Sequence, residues 1–301
     1  MNAATSPTRL LWRRFLRHRP AEVSLVFLAV LLTLALAAPL IAQLRGIDPS
    51  MTDLHHRLEG PSAHYWLGTD DLGRDLFQRL LDGGRVSLLV GIAGAILSAI
   101  LGALIGVVSG YLGGRLDTVL MRLTDGVIAL PLLPLLIVLA AIDPRKVGIS
   151  LDTAQSETFS LYRIVIIVAL TGWTTVARLV RAETLSLKER DFARAARALG
   201  ARPVRIMLRH ILPNAMGSLV VATTMSIGSL ILLESTLSFL GLGTQPPAAS
   251  WGNMLTGAQE LLQEAPLLAL WPGLLIFLTV IAFNFLGDGL QDALDPRSER
   301  R

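Results

Sequence analysis

No cysteine occurs in the chain, which excludes disulfides, thiolate metal sites and a cysteine nucleophile. Lysine is almost missing too: Lys146 and Lys188 are the two copies, and neither follows a glycine. A GxxxxGK(S/T) phosphate loop is therefore excluded, and ATP hydrolysis by that route with it. Charge is scarce. Charged residues make up 17% of the 301 and hydrophobic ones 52%, where a soluble domain carries about 25% charged. One globular core cannot hide such a deficit, so lipid must solvate much of the surface. Length alone would suggest two soluble domains; the composition points to one membrane domain. His55, His56 and His64 share a segment without ligand spacing, and no histidine cluster accompanies Asp70 and Asp75. No metal site and no catalytic residue is expected.

What the chain does have is long charge-free runs. A helix needs about 20 apolar residues to cross roughly 30 Å of hydrocarbon. The runs are 23–42, 86–114, 126–142, 164–177, 211–233 and 265–287. The fourth, at 14 residues, covers only about 21 Å, but Arg163 and Arg178 flank it and long arginine side chains snorkel to the interface. The first follows a basic stretch like that of a signal peptide, yet it exceeds the usual h-region of about 7–15 residues and reads as an uncleaved span. Six spans with both termini cytoplasmic put 19 basic residues inside and 8 outside, as the enrichment of cytoplasmic loops in Lys and Arg requires. The fold class expected is all-α. Residues 1–85 form an N-terminal region: tail, first span, and an outer loop with an amphipathic helix over DLFQRLLDGG. Residues 86–301 form a core of five further spans.

Particular segments carry more. Gly102, Gly106 and Gly110 stand four apart and share one helix face, which lets a neighbouring backbone approach. Pro131 and Pro134 are expected to kink the third span. Thr69, Asp70 and Asp71 read as helix caps. Glu234 ends a 23-residue apolar run; it is either a polar residue on a translocation path or an interhelical hydrogen-bonding group, since a carboxylate near lipid is costly. Pro246, Pro247 and Trp251 fall on the outer loop, where Trp251 is an interface anchor or, with the prolines, part of a docking site for another protein.

Segment 178–214 is too basic for lipid and too long for a connector. It reads as a helix over Arg181 to Leu199, a Gly200-Ala201-Arg202-Pro203 elbow, and a second short helix ending at Pro213. Ala193, Ala195, Ala196 and Ala198 give it a thin surface that a partner groove could grip. Ala195-Ala196-xxx-Gly200 followed by Leu212-Pro213 resembles the EAA-xxx-G-x9-I-x-LP loop of ABC-importer permeases, with Arg194 in place of Glu and His210 in place of Ile. LGTD (67–70), GRD (73–75) and RVSL (85–88), then Glu234, LSFLGLG (237–243), PP (246–247), SWG (250–252), GDG (287–289) and LDP (294–296), resemble the dipeptide, oligopeptide and nickel branch in its C-type permease.

That resemblance implies a type I importer permease without chemistry of its own. Arg194, Ala195, Ala196, Arg197, Leu199, Gly200, Leu212 and Pro213 would couple it to ATPases. It implies no cofactor in this chain, with ATP and magnesium on partner subunits. The implied partners are a second homologous permease, one or two cytoplasmic ATPases, an extracytoplasmic solute-binding protein and membrane lipid, but no nucleic acid. The location would be a bacterial inner membrane. The solute stays open among dipeptides, oligopeptides, glutathione, opines and nickel chelates. A membrane-embedded hydrolase would need a nucleophile–base or metal constellation within the spans, and a secondary transporter several mid-membrane ionisable groups; neither pattern is present.

Overall fold

In the computed structural model, which describes residues 7–49, 51–154, 156–245 and 247–294, every regular element is a helix. In order they are α1 (Pro7–Phe15), α2 (Arg19–Arg45), α3 (Leu76–Leu112), α4 (Gly114–Ala129), α5 (Leu132–Ala141), the single turn α6 (Leu151–Ala154), α7 (Glu157–Leu187), α8 (Asp191–Ala198), α9 (Pro203–Ile206), α10 (Leu212–Phe239), α11 (Trp251–Glu260) and α12 (Leu267–Leu294). One widened π-turn, Met207–Ile211, joins α9 to α10, so residues Pro203–Phe239 form one continuous helix of 37 residues.

Five of these helices are long and apolar enough to cross a membrane, and the bent pair α4–α5 makes up to six. The short fourth run belongs to α7, whose 31 residues extend about 46 Å because polar turns continue the helix beyond both flanking arginines. The third run departs from expectation. It is broken, not kinked: α4 and α5 meet at 90°. Leu130 is extended (ψ 136°) ahead of Pro131, as a residue before proline prefers. Pro134 sits in the first turn of α5, where a missing N–H costs no hydrogen bond. The ten residues of α5 are too few to cross alone.

The stretch DLFQRLLDGG is likewise not a separate amphipathic helix; it forms the N-cap and opening turns of α3. The cap is Asp75, which accepts from the Gln78 N–H at 2.6 Å, and not Thr69, Asp70 or Asp71. Asp75 also receives Arg45 from the end of α2 (2.9 Å), and Arg45 lies 4.4 Å over the Trp66 ring. Asp70 takes Arg74 (2.7 Å) and Arg79 (3.2 Å). This buried ion cluster pins the 46–75 loop onto the end of α2 and the start of α3, and it satisfies charges that would otherwise be costly to bury.

Helix α3 runs through the centre. Val107, Ala103 and Ala99 on it pack against Val176 and Val180 on α7. Leu76, Leu80 and Leu88 meet Ile231, Trp251, Met254 and Phe283 in the largest core cluster. The α3–α7 contact is close because Gly102, Gly106 and Gly110 face it. A Cβ at Gly106 would stand 2.6 Å from the Ala177 carbonyl oxygen, and one at Gly110 2.8 Å from the Thr184 Cβ. At the end of the bundle that carries residues 188–202, Arg181 on α7 clasps Asp117 on α4 (2.6 Å), and Lys188 donates to the Gly110 carbonyl (2.8 Å).

Candidate functional site

The elbow between α7 and α9 is built from its ends inward. Helix α7 stops at Leu187, and Arg190 turns extended (ψ 152°) to start α8. The expected single helix from Arg181 to Leu199 is therefore two, parted at Lys188–Arg190. The helix ends where Lys188 reaches across to α3. Asp191 in the first turn of α8 suits the positive end of its dipole. At the other end the Gly200 N–H bonds the Arg197 carbonyl (3.0 Å) and the Ala201 N–H the Ala196 carbonyl (3.1 Å). That pair of bonds is a Schellman termination, and it needs the left-handed residue that Gly200 supplies at φ +77°. Arg202 is then extended and Pro203 opens α9, the position where proline fits best.

The two faces of α8 differ. Ala193 and Ala196 are buried, the latter among Leu187, Ile206, Ile211 and Ala215. The outward face carries Arg194, Ala195, Arg197 and Ala198, and Leu199 beyond it is 88% exposed. The alanine pair thus divides: Ala196 seats the helix on the chain's own core, and only Ala195 presents a small surface outward. Arg194, where the resembled pattern has Glu, pairs with Glu189 at 3.1 Å on the surface, an interaction worth about 0–1 kcal/mol. The second short helix does not end at Pro213. Leu212 donates its N–H to Met207, five residues back, and this widened turn makes room for the proline ring against the preceding carbonyls. Leu212 and Pro213 therefore lie within one rod that leads into α10. Glu183 on α7 accepts from Ser218 on α10 (2.9 Å), so the two helices rising from the elbow are also joined to each other.

At the opposite end of α10 sits Glu234, fully buried. Ser87 on α3 donates to one carboxylate oxygen (2.8 Å) and Ser238 to the other (2.7 Å). Each serine oxygen accepts in turn a backbone N–H of the 240–251 segment: Trp251 on Ser87 (3.3 Å) and Thr244 on Ser238 (3.2 Å). Glu234 is thus an interhelical hydrogen-bonding group inside the packing, with no side-chain surface left open. Trp251 is corrected in the same way. Its side chain is fully buried over Gly83 and Gly84, and its indole donates to the Leu80 carbonyl (3.0 Å). It is neither an interface anchor nor a docking contact. Pro247 is exposed, and Pro246 lies outside the described residues.

Residues 102–300, from the glycine face of α3 through the elbow to the last span, match the family described as binding-protein-dependent transport system inner membrane component. The chain belongs to this family. Residues 6–61 match the N-terminal TM domain of oligopeptide transport permease C. The chain is similar to the oligopeptide transport system permease protein OppC of Bacillus subtilis, at 38% identity over 95% of this chain and 90% of that one. It is similar also to the glutathione transport system permease protein GsiD of Shigella flexneri serotype 5b, at 43% identity over 97% and 91%. It is a multi-pass membrane protein and the permease subunit of an ABC importer.

In this permease subunit the sequence offered an interhelical hydrogen bond for Glu234 but not its serine partners, and it missed the Arg45–Asp75 pair. Half of the network had a local signal, since Ser238 follows Glu234 by four residues on one helix face; Ser87, 147 residues away, had none. A direct consequence follows for Glu234→Gln. The amide keeps one acceptor and presents a donor to a serine that already donates, at a cost of about 1–3 kcal/mol. The variant should melt earlier and still assemble, whereas Glu234→Leu, which orphans both serines, should fail to accumulate. Thermal melting of the purified importer checks this. An unchanged midpoint in Glu234→Gln together with abolished uptake would mean that the carboxylate meets solute directly.

Proposed function

We propose that this permease takes up peptides or similar small peptide-like solutes, and that the 188–203 elbow is where partner ATPases drive it. One observation carries the reading. The Schellman elbow holds α8 with Ala193 and Ala196 inward and Arg194, Ala195, Arg197 and Leu199 outward, and its two ends continue into two spanning rods. A rigid element so placed passes a push on α8 to α7 and α10 together. The names of the relatives support the solute class. The chain works without catalysis or cofactor of its own, and ATP with magnesium is handled by one or two cytoplasmic ATPases. A second homologous permease completes the path, and an extracytoplasmic binding protein delivers the solute. Both termini and the elbow are cytoplasmic, in a bacterial inner membrane, as the placement of 19 basic residues against 8 supports.

Topology is tested on single cysteines, for which the chain has no background. In intact spheroplasts a membrane-impermeant maleimide should label Met51→Cys. It should label Leu199→Cys only after the membrane is opened. Labelling of Leu199→Cys from outside would overturn the orientation and the elbow's role with it.

A further inference from the structure

Where α2 begins, an apolar groove of about 480 Å³ runs between it and residues 278–285 of α12. Val23 and Phe27 form one wall, and Leu278, Ile281 and Phe285 the other. Among the described residues, Arg19 is the one charged residue that lines it. Just ahead, α1 folds back on the end of α12 by burying Phe15 against Ala21 and Ala293. Its Trp12 (55%) and, just past its end, Leu16 (39%) stay exposed. Between Leu11 and Glu22 stand four arginines and one carboxylate. Arg13, Arg17 and Arg19 are exposed and form no ion pair among the described residues. The nearest histidine, His18, caps α2 and faces Asp292 at 3.9 Å.

We propose that this groove is a seat for an anionic phospholipid: an acyl chain between α2 and α12, and the phosphate held by Arg19 with Arg13 and Arg17. Three observations favour lipid over a protein partner. The groove is walled by Val23, Phe27, Leu278, Ile281 and Phe285, with Pro20, Ser24 and Ala282 between them, and the exposed face of α2 carries Val23, Val26, Val30 and Leu36, whereas close helix–helix contacts in membranes use mainly small residues. Only 22% of α2's most apolar stretch is buried, the lowest share among the five spans. The cations and the exposed Trp12 and Leu16 meet where α2 enters the apolar layer, and this pairing of aromatic, aliphatic and basic groups suits a membrane surface that carries negative charge. Basic pockets between helices at that level hold anionic head groups. The seat would tie the first span to the last, and so brace the elbow end of the bundle. The inference rests on the proposed placement of this end of the bundle at the cytoplasmic surface.

The test uses the assembled importer in bilayers of equal parts phosphatidylglycerol and phosphatidylcholine, followed by gentle delipidation and native mass spectrometry of the lipid retained. Phosphatidylglycerol should be kept in preference. Arg19→Gln should lower that preference about fivefold, the effect of one basic side chain at an anionic surface. Replacing Arg13, Arg17 and Arg19 together should abolish it. Leu278→Trp, which fills the groove, should reduce both lipids. Equal retention of the two lipids by the wild type overturns the proposal, as does a preference that survives the triple replacement. Cross-linking of Val23→Cys to the sister permease, with no lipid retained, assigns the groove to protein instead and overturns it too.

Discussion

Gly106→Leu should prevent this permease from accumulating as a folded, monodisperse protein. A Cβ at that position would lie 2.6 Å from the Ala177 carbonyl oxygen and 2.9 Å from both the Arg181 nitrogen and the Val180 Cβ. Two of the three obstacles are backbone atoms of α7, so no rotamer change relieves the clash and the helices must part. Overpacking a core costs about 1–3 kcal/mol where side chains can yield; here the loss is larger, because separating α3 from α7 also strips Ala103, Val107, Val176 and Val180 of their contacts. The same separation would pull Lys188 from the Gly110 carbonyl and disturb the start of the elbow. Gly126→Ala is the matched control, since a Cβ there meets nothing within 4 Å. Size-exclusion profiles of detergent extracts should show the first variant lost or aggregated and the second unchanged. A monodisperse, active Gly106→Leu would refute the close α3–α7 contact.

Gly200→Val should abolish uptake for a different reason. Space is not the obstacle, because a Cβ at Gly200 also meets nothing within 4 Å. The obstacle is φ +77°, which costs an ordinary L-residue about 1–2 kcal/mol and a β-branched one more. The chain can avoid that cost only by abandoning the Schellman bonds to Ala196 and Arg197 and re-aiming α8. Uptake in membrane vesicles should fall by at least about tenfold, the equivalent of roughly 1.4 kcal/mol of misplacement. Gly200→Asn, which tolerates the left-handed region, should keep most of the uptake although its side chain is larger than that of Gly200→Ala. The order glycine, asparagine, alanine, valine separates a backbone requirement from a steric one. Equal loss in all three variants would show that the outward surface itself, and not the turn, is what the substitution spoils.

The spans were legible because lipid demands continuous apolar runs. Where the reading failed, the cause was either a partner far away in sequence or local geometry that composition does not record. Counting charge-free residues measures the lipid-compatible stretch, not the helix, so the fourth run looked short although α7 carries polar turns at both ends. The break at Lys188–Arg190 holds no proline or glycine; its distinguishing contact is with Gly110, 78 residues earlier. Trp251 looked like a surface anchor because tryptophan usually is one near a membrane interface. Its true environment was made by Gly83 and Gly84, which clear a slot on α3 that no local pattern announces. Pro213 looked like a helix end, and the turn that absorbs it leaves no mark in composition. The elbow was legible at Gly200–Pro203, where the turn chemistry is local and glycine and proline are each nearly obligatory.

The central claim is that energy enters this subunit by contact at α8, and cross-linking from Leu199→Cys in otherwise cysteine-free permease, within the membrane-embedded importer, tests it most directly. Leu199 is 88% exposed and adjoins the left-handed turn, so a short bifunctional reagent placed there should capture the ATPase subunit, with a yield that changes when ATP is bound. Capture of lipid or solvent alone, with the ATPase present and active in the same membranes, would contradict the account.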